Sequence, residues 1–452
     1  MLRSAAWIEA PPTRRAAASL AVIALATAAS CTLDAQGTQP VSMTSSSGGG
    51  GEATTTTTST GLGGMGGAGS SAGGGGAGGS PPKELGTWSG AAGPGADGTY
   101  ALPSWLELSS PSTEKTVQTG PSTLRTGFGA NAARGHNVTS PPAWGLALES
   151  ARTNRNHSSR ISAASWEILH PPGSIVATQG PDAANLAATI ADTNSTGMGA
   201  AVAVVDIDPL AGTSTLSAWV GGVQAVDQVK IASTVFPSPF GVTVPLQAGW
   251  QRISHTALES TGGVAKDSLY PAQSPGSATG SASFDFVSHE AGKYPSSAIL
   301  TSGAAATREA EALVASGAAT LAPGGYFHVT LVFAPSYASG EQAGAHTLLF
   351  FDALNRVVLD ALNRVVLMVN GMPAVATATL SWKRDQALTV EVVNAPTEQR
   401  ITVSGHDTGG GSASAPTGTP VGLSTEIGIL GGAAGSEECA DLRSIRFEDP
   451  TP

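Results

Sequence analysis

The sequence predicts an all-β protein, with two antiparallel β-sandwich domains following an export signal and a disordered Gly/Ser/Thr-rich linker. Three observations lead there. From about residue 97 the chain runs in short stretches of Val, Ile, Leu, Thr, Phe and Trp, separated by Gly/Pro/Asn/Asp clusters, as sandwiches do. In one stretch Leu216, Ala218 and Val220 alternate with Thr215, Ser217 and Trp219, the period of a half-buried strand. With 58 Gly, 29 Pro and only 12% charged residues among 452, the composition argues against a helical bundle or coiled coil.

In chain order, residues 1–31 read as a lipoprotein-type signal peptide. Arg14 and Arg15 supply a positive start, and residues 16–30 form an uncharged Ala/Leu/Val/Ile run too short for a good spanning helix. It ends in Ala28-Ala29-Ser30-Cys31, which resembles a bacterial lipobox. That resemblance implies lipidation at Cys31; plain cleavage after Ala26 or Ala28 stays open. Residues 32–96 read as the linker, with its poorest complexity over 37–82. Such a stretch has too few apolar side chains to offset the backbone entropy of ordering. Two strings within it, GLGGMG at 61–66 and GSSAG at 69–73, match dinucleotide-loop and nucleophile-elbow patterns. Neither has the flanking strand and helix that give those patterns their chemistry.

The first sandwich is expected over 97–320, with strands near 144–148, 186–190, 200–205, 215–220, 229–234, 251–256 and 282–287. WGLALESARTN (144–154) resembles the G-L-x-x-E-x-x-R-T-N opening of a module found in bacterial surface proteins and phage tail fibres or spikes. KTVQT (115–119), GANAAR (129–134), GWQRIS (249–254), HEAGKYPSS (289–297) and Thr307-Arg308 resemble the rest of that module in order. The sequence departs from it at Ser288-His289, where the module has Gln-Leu. The resemblance implies a galactose-binding-like jelly-roll sandwich close to carbohydrate-binding modules. It makes Arg152 and Asn154 either loop-tying scaffold residues or ligand contacts.

The second sandwich is expected over 321–452, with strands near 326–333, 347–351, 366–369, 373–382, 387–393, 399–403 and 442–447. Asn370-Gly371 fits a type I′ hairpin turn, since both residue types tolerate positive φ. The run of strands resembles laminin-G-like or concanavalin-type lectin sandwiches, and implies the same jelly-roll architecture. DALNRVVL occurs twice in tandem, at 352–359 and 360–367. Eight is even, so the second copy keeps the inside/outside pattern of the first. One copy is expected to pair while the other bulges out or lengthens the hairpin.

Candidate chemistry is sparse. A net charge of −11 leaves no basic face for nucleic acid. The nearest string to a sandwich-hydrolase acid motif is Asp206-Ile207-Asp208, which lacks both glutamates. Asp206 and Asp208 are instead expected at a turn, or as oxygen ligands of a structural calcium together with Asn194. The eight His form no zinc motif, and Cys439 reads as a buried thiol. Trp219, on the polar phase of its strand, is the candidate platform for a sugar ring, followed by Trp382 and Trp166; Trp250 reads as core. The functional expectation is a non-catalytic, exported binding protein of the outer membrane or extracellular space that recognises glycan. The alternatives are a structural or adhesive surface lipoprotein and a polysaccharide hydrolase or lyase, the last requiring two opposed acids in one cleft.

Overall fold

A computed structural model describes residues 83–450, apart from 114, 185, 195–201, 222–227, 261–264, 273–278, 343 and 432–439. The signal peptide, Cys31, Cys439 and most of the linker lie outside the described residues. Strand makes up 52% and helix 2%, so the chain is all-β, and every pairing between its named strands is antiparallel.

Four large sheets surround two apolar cores. One core is formed between the sheet of Trp250–Leu258, Thr213–Gly221, Gly280–Ala291, Ala187–Asp192 and Gly173–Thr178 and the sheet of Gly241–Pro245, Gln228–Ser233, Lys266–Tyr270, Val202–Asp206 and Glu167–Leu169. Leu216, Ala218, Val220 and Phe284 meet Val229, Ile231 and Leu269 inside it. The other core lies between a sheet centred on Phe327–Pro335 and Ala440–Glu448 and a sheet running from Leu106–Ser109 to Met372–Ala376. Phe327, Val329, Leu331 and Phe333 point inward there, and His328 and Thr330 do not. This is the two-residue period written in the sequence.

The strands do not sort by the boundary expected at residue 320. Glu84–Ser89, Leu106–Ser109, Gly135–His136 and Gly145–Leu148 all join sheets with strands from the C-terminal third. Ala312–Ser316 does the same, pairing with Glu426–Ile429. One sandwich is therefore split in sequence, and the other, strands 152–308, is inserted into it. The linker expected to reach residue 96 ends earlier as well. Glu84–Ser89 is a strand on Ala440–Glu448, and Trp88 is buried in the split core.

The G-L-x-x-E-x-x-R-T-N stretch is the crossing between the sandwiches. Gly145–Leu148 pairs in the split sandwich, and Arg152–Asn154 pairs in the inserted one. Its polar residues tie the crossing down. The Glu149 carboxylate accepts from the Ser297 amide (2.8 Å) and hydroxyl (2.6 Å) and lies 3.1 Å from both Arg134 and Arg308. Asn154 is fully buried and donates to the Val287 and Ile299 carbonyls at 3.1 and 2.9 Å.

Both copies of DALNRVVL pair, which corrects the expected bulge. Arg356–Leu359 and Val365–Val369 are adjacent strands, with Val357 opposite Leu367, Val358 opposite Val366 and Leu359 opposite Val365. The Asp at the head of each copy turns the chain the same way. The amides of Leu354 and Leu362 donate to Asp352 and Asp360, two residues back, at 2.7 and 2.9 Å. Val357 and Leu359, and their counterparts Val365 and Leu367, all enter the core, so the predicted phase holds. Asn370 and Gly371 follow with φ of 50° and 78°, as an I′ turn needs.

Candidate functional site

Among the described residues, a cleft of about 360 Å³ lies where the two sandwiches meet. The hairpin of Lys115–Gly120 and Thr123–Phe128 contributes Gln118 and Leu124. The inserted sandwich contributes Trp219, Arg252 and Ser254 from its outer face, and Gln251 from the opposite phase of the same strand. The rim of the split sandwich contributes His136, Ser336, Arg384, Asp385 and Asp441.

Strand register explains the inserted wall. Trp219 and Arg252 are cross-strand partners, as are Ser217 and Ser254. Leu216, Ala218 and Val220 fill the core, so Ser217 and Trp219 must face outward. The outward indole is nonetheless 1% exposed, because Leu124 of the hairpin, Phe286 and Ala298 cover it. Trp219 thus forms apolar floor and offers no open ring face, contrary to the platform expected. The Arg252 guanidinium lies on the same face and donates to Ser217 Oγ at 3.0 Å, while its Nε is buried with no partner among the described residues. Burial holds the Arg252 pKa below its usual value, Glu290 and Glu149 working against the drop and Arg384 and Arg308 adding to it.

On the split wall, His136 Nδ1 and the Asp441 carboxylate form a short pair. Burial disfavours the charged imidazole, but Asp441 outweighs it and the His136 pKa is raised. Asp385 sits in a turn with φ of 58°. Its amide donates to the Pro335 carbonyl at 2.8 Å. Burial and then the Asp441 charge push its carboxyl above the usual range, against the pull of His136, Arg384 and Arg443.

The other expected site residues lie elsewhere. Trp382 is 2% exposed in the split core, its Nε1 donating to the Tyr337 carbonyl at 3.0 Å. Trp166 is buried in the inserted core, donating to the Ser158 carbonyl at 3.1 Å. Neither presents a ring face to a ligand, because in each case the indole fills a core. Arg152 lies over the Tyr294 ring at 4.6 Å and donates to the Ala291 carbonyl, and Asn154 is consumed by backbone. Asp206 and Asp208 are exposed and engage Lys266 (3.5 Å) and His157 (3.0 Å). No group of three or more His, Cys, Asp or Glu stands ready for a metal ion among the described residues.

His136, Arg252, Asp385 and Asp441 were not legible as a group. His136 and Asp441 are 305 positions apart. Arg252 was visible only as part of GWQRIS, and Asp385 carried no local motif.

The fold and the cleft define a class: an all-β protein of two joined sandwiches with a polar cleft between them. No family model matches the chain, and no curated protein matches it.

Proposed function

We propose that this is an exported, non-catalytic binding protein that takes a carbohydrate into the cleft between its sandwiches. The carrying observation is the lining of that cleft. Ser254 and Ser336 offer neutral hydroxyls, Gln118 and Gln251 offer amides whose nitrogens donate to the Gly120 and Pro245 carbonyls, and Arg252, Arg384, Asp385 and Asp441 bring charges of both signs. Such a set matches the many hydroxyls of a sugar better than it matches an apolar ligand, with Leu124 and Trp219 as apolar floor. The lipobox-like Cys31 and the low-complexity linker support a tethered position outside the cell. No helix among the described residues is long and apolar enough to cross a membrane.

One observation favours the hydrolase alternative: Asp385 and Asp441 line the same cleft. Glycoside hydrolysis needs two acids free to act on opposite faces of the bond. Asp441 is held by His136, and Glu149 by Arg134, Arg308 and Ser297, which leaves Asp385 as the uncommitted acid. Binding without turnover is the better reading.

The test is steric. Ser254→Trp places a bulky ring at the mouth of the cleft from a half-buried strand position. Soluble polysaccharides that bind the full chain in affinity electrophoresis should lose most of their retardation with this variant. Retention of full binding would place the carbohydrate surface elsewhere.

A further inference from the structure

Most of the half-buried and buried arginines described have an acidic partner. Arg134 holds Glu149 and Glu311, Arg155 holds Glu259, Arg160 holds Asp182 and Asp285, and Arg308 holds Glu149. Arg252 is an exception that lines the cleft. Its one hydrogen bond among the described residues is to a neutral hydroxyl. The two acids whose charges favour its cation are hydrogen-bonded to other groups. Glu290 accepts from Ser288 Oγ (2.5 Å), Ser296 N (3.2 Å) and Ser296 Oγ (2.5 Å), and Glu149 carries two arginines. Arg384 and Arg308 add positive charge nearby. Neutral partners leave the Glu290 charge in place, and it favours the Arg252 cation from a distance, but no carboxylate lies within ion-pair distance of the guanidinium among the described residues. A guanidinium taken partly out of water without a carboxylate in contact is costly.

We infer that Arg252 is the seat of an anionic group on the ligand, so that the cleft selects an acidic sugar unit, carrying a carboxylate or a sulfate ester, over a neutral one. This rests on the carbohydrate reading above. The planar guanidinium fork suits either anion. Asp385 fixes the direction: its carboxylate repels an anion, so the charged group turns toward Arg252 and hydroxyls turn toward Asp385. The whole chain has a net charge of −11, so polyanions are not drawn to it in general. Preference for an acidic glycan would therefore report on the cleft.

The full chain is titrated with polygalacturonate and with its fully methyl-esterified form, which differ in charge and share their sugar backbone. Dextran sulfate beside dextran forms the sulfate arm. The acid form of at least one pair should bind about tenfold more tightly or better, as expected when a hydrogen bond to a charged group is gained. Arg252→Gln should abolish that difference. Asp385→Asn should strengthen binding of the acid form, and Asn tolerates the left-handed backbone at this turn, so the variant keeps the fold. Thermal unfolding checks that Arg252→Gln is folded; if it is not, Asp385→Asn decides alone. Equal binding of charged and neutral partners would overturn the charge inference and leave the carbohydrate reading standing. A charge preference indifferent to both variants would overturn the assignment to Arg252. Failure of all four polymers to bind would overturn both readings.

Discussion

Asp285 shows how a single residue carries the balance between burial and charge. It is fully buried with Arg160 at 2.6 Å, and Arg160 is shared with Asp182 at 2.5 Å and lies over the Phe286 ring at 3.9 Å. Burial lifts the Asp285 carboxyl to about 7, Arg160 pulling it down and Asp182 adding to the rise. The folded state thus holds a proton between the ordinary 3.8 and about 7 that the unfolded chain releases. This group favours folding most below that window, and its contribution falls as pH rises through it. Asp285→Asn should flatten the decline of stability between pH 4 and 7, measured by urea unfolding across that range. Glu259 has the opposite sign. Burial tends to raise its carboxyl, but hydrogen bonds from His289 and Arg155 hold it well below the usual value. Its contribution is present above about 4.5 and disappears in more acid solution. His289, between Asp267 (2.8 Å) and Glu259 (3.3 Å), has a raised pKa despite burial, so its share is complete below 6.5 and is lost as pH climbs past its folded value.

At the scale of elements, the octapeptide repeat is the most informative segment. Each copy is a complete turn-plus-strand unit, because an Asp-headed turn is followed by three apolar residues of which two enter the core. An even length preserved the faces, as the sequence implies. The count of strands was not readable in the same way: two identical strings could be one long strand, a bulge or two strands, and only the partners available decide. In a meander each added unit also reverses the chain direction. Deleting residues 352–359 should therefore deliver Asn370-Gly371 to the wrong end of the sheet and abolish cooperative thermal unfolding of the split sandwich. An unchanged melting curve would show that the strand is dispensable. The strands that escaped the sequence reading share a cause. Glu84–Ser89 and Leu106–Ser109 are short, with Gly, Thr and Glu between their apolar residues, and they exist because a partner strand is present across the sheet.

For the whole molecule, the join between the sandwiches is ionic and largely buried. Lys115, Arg134 and Glu311 are buried together, with Lys115 to Glu311 at 3.3 Å and Arg134 to Glu311 at 2.5 Å, and Glu149 and Arg308 extend the chain of charges. Within such a network each ion is tolerable only while its partners remain. Glu311→Gln leaves Lys115 and Arg134 short of negative charge and should cost about 3–5 kcal/mol of stability in denaturant unfolding. A loss below about 1 kcal/mol would mean that the join is held by packing. The same join sets the cleft, since the hairpin that covers Trp219 starts at Lys115.

The sequence by itself determined the class of fold, the position of most long strands, the I′ turn and the phase of the repeat. These follow from local rules: side chains alternate every two residues, and Gly, Pro, Asn and Asp punctuate the runs. Tertiary structure alone decided that one sandwich is inserted into the other, that Trp219 is covered, and that His136, Arg252, Asp385 and Asp441 share a cleft. Those outcomes depend on which distant strands meet, and side-chain alternation carries no record of the partner across the sheet.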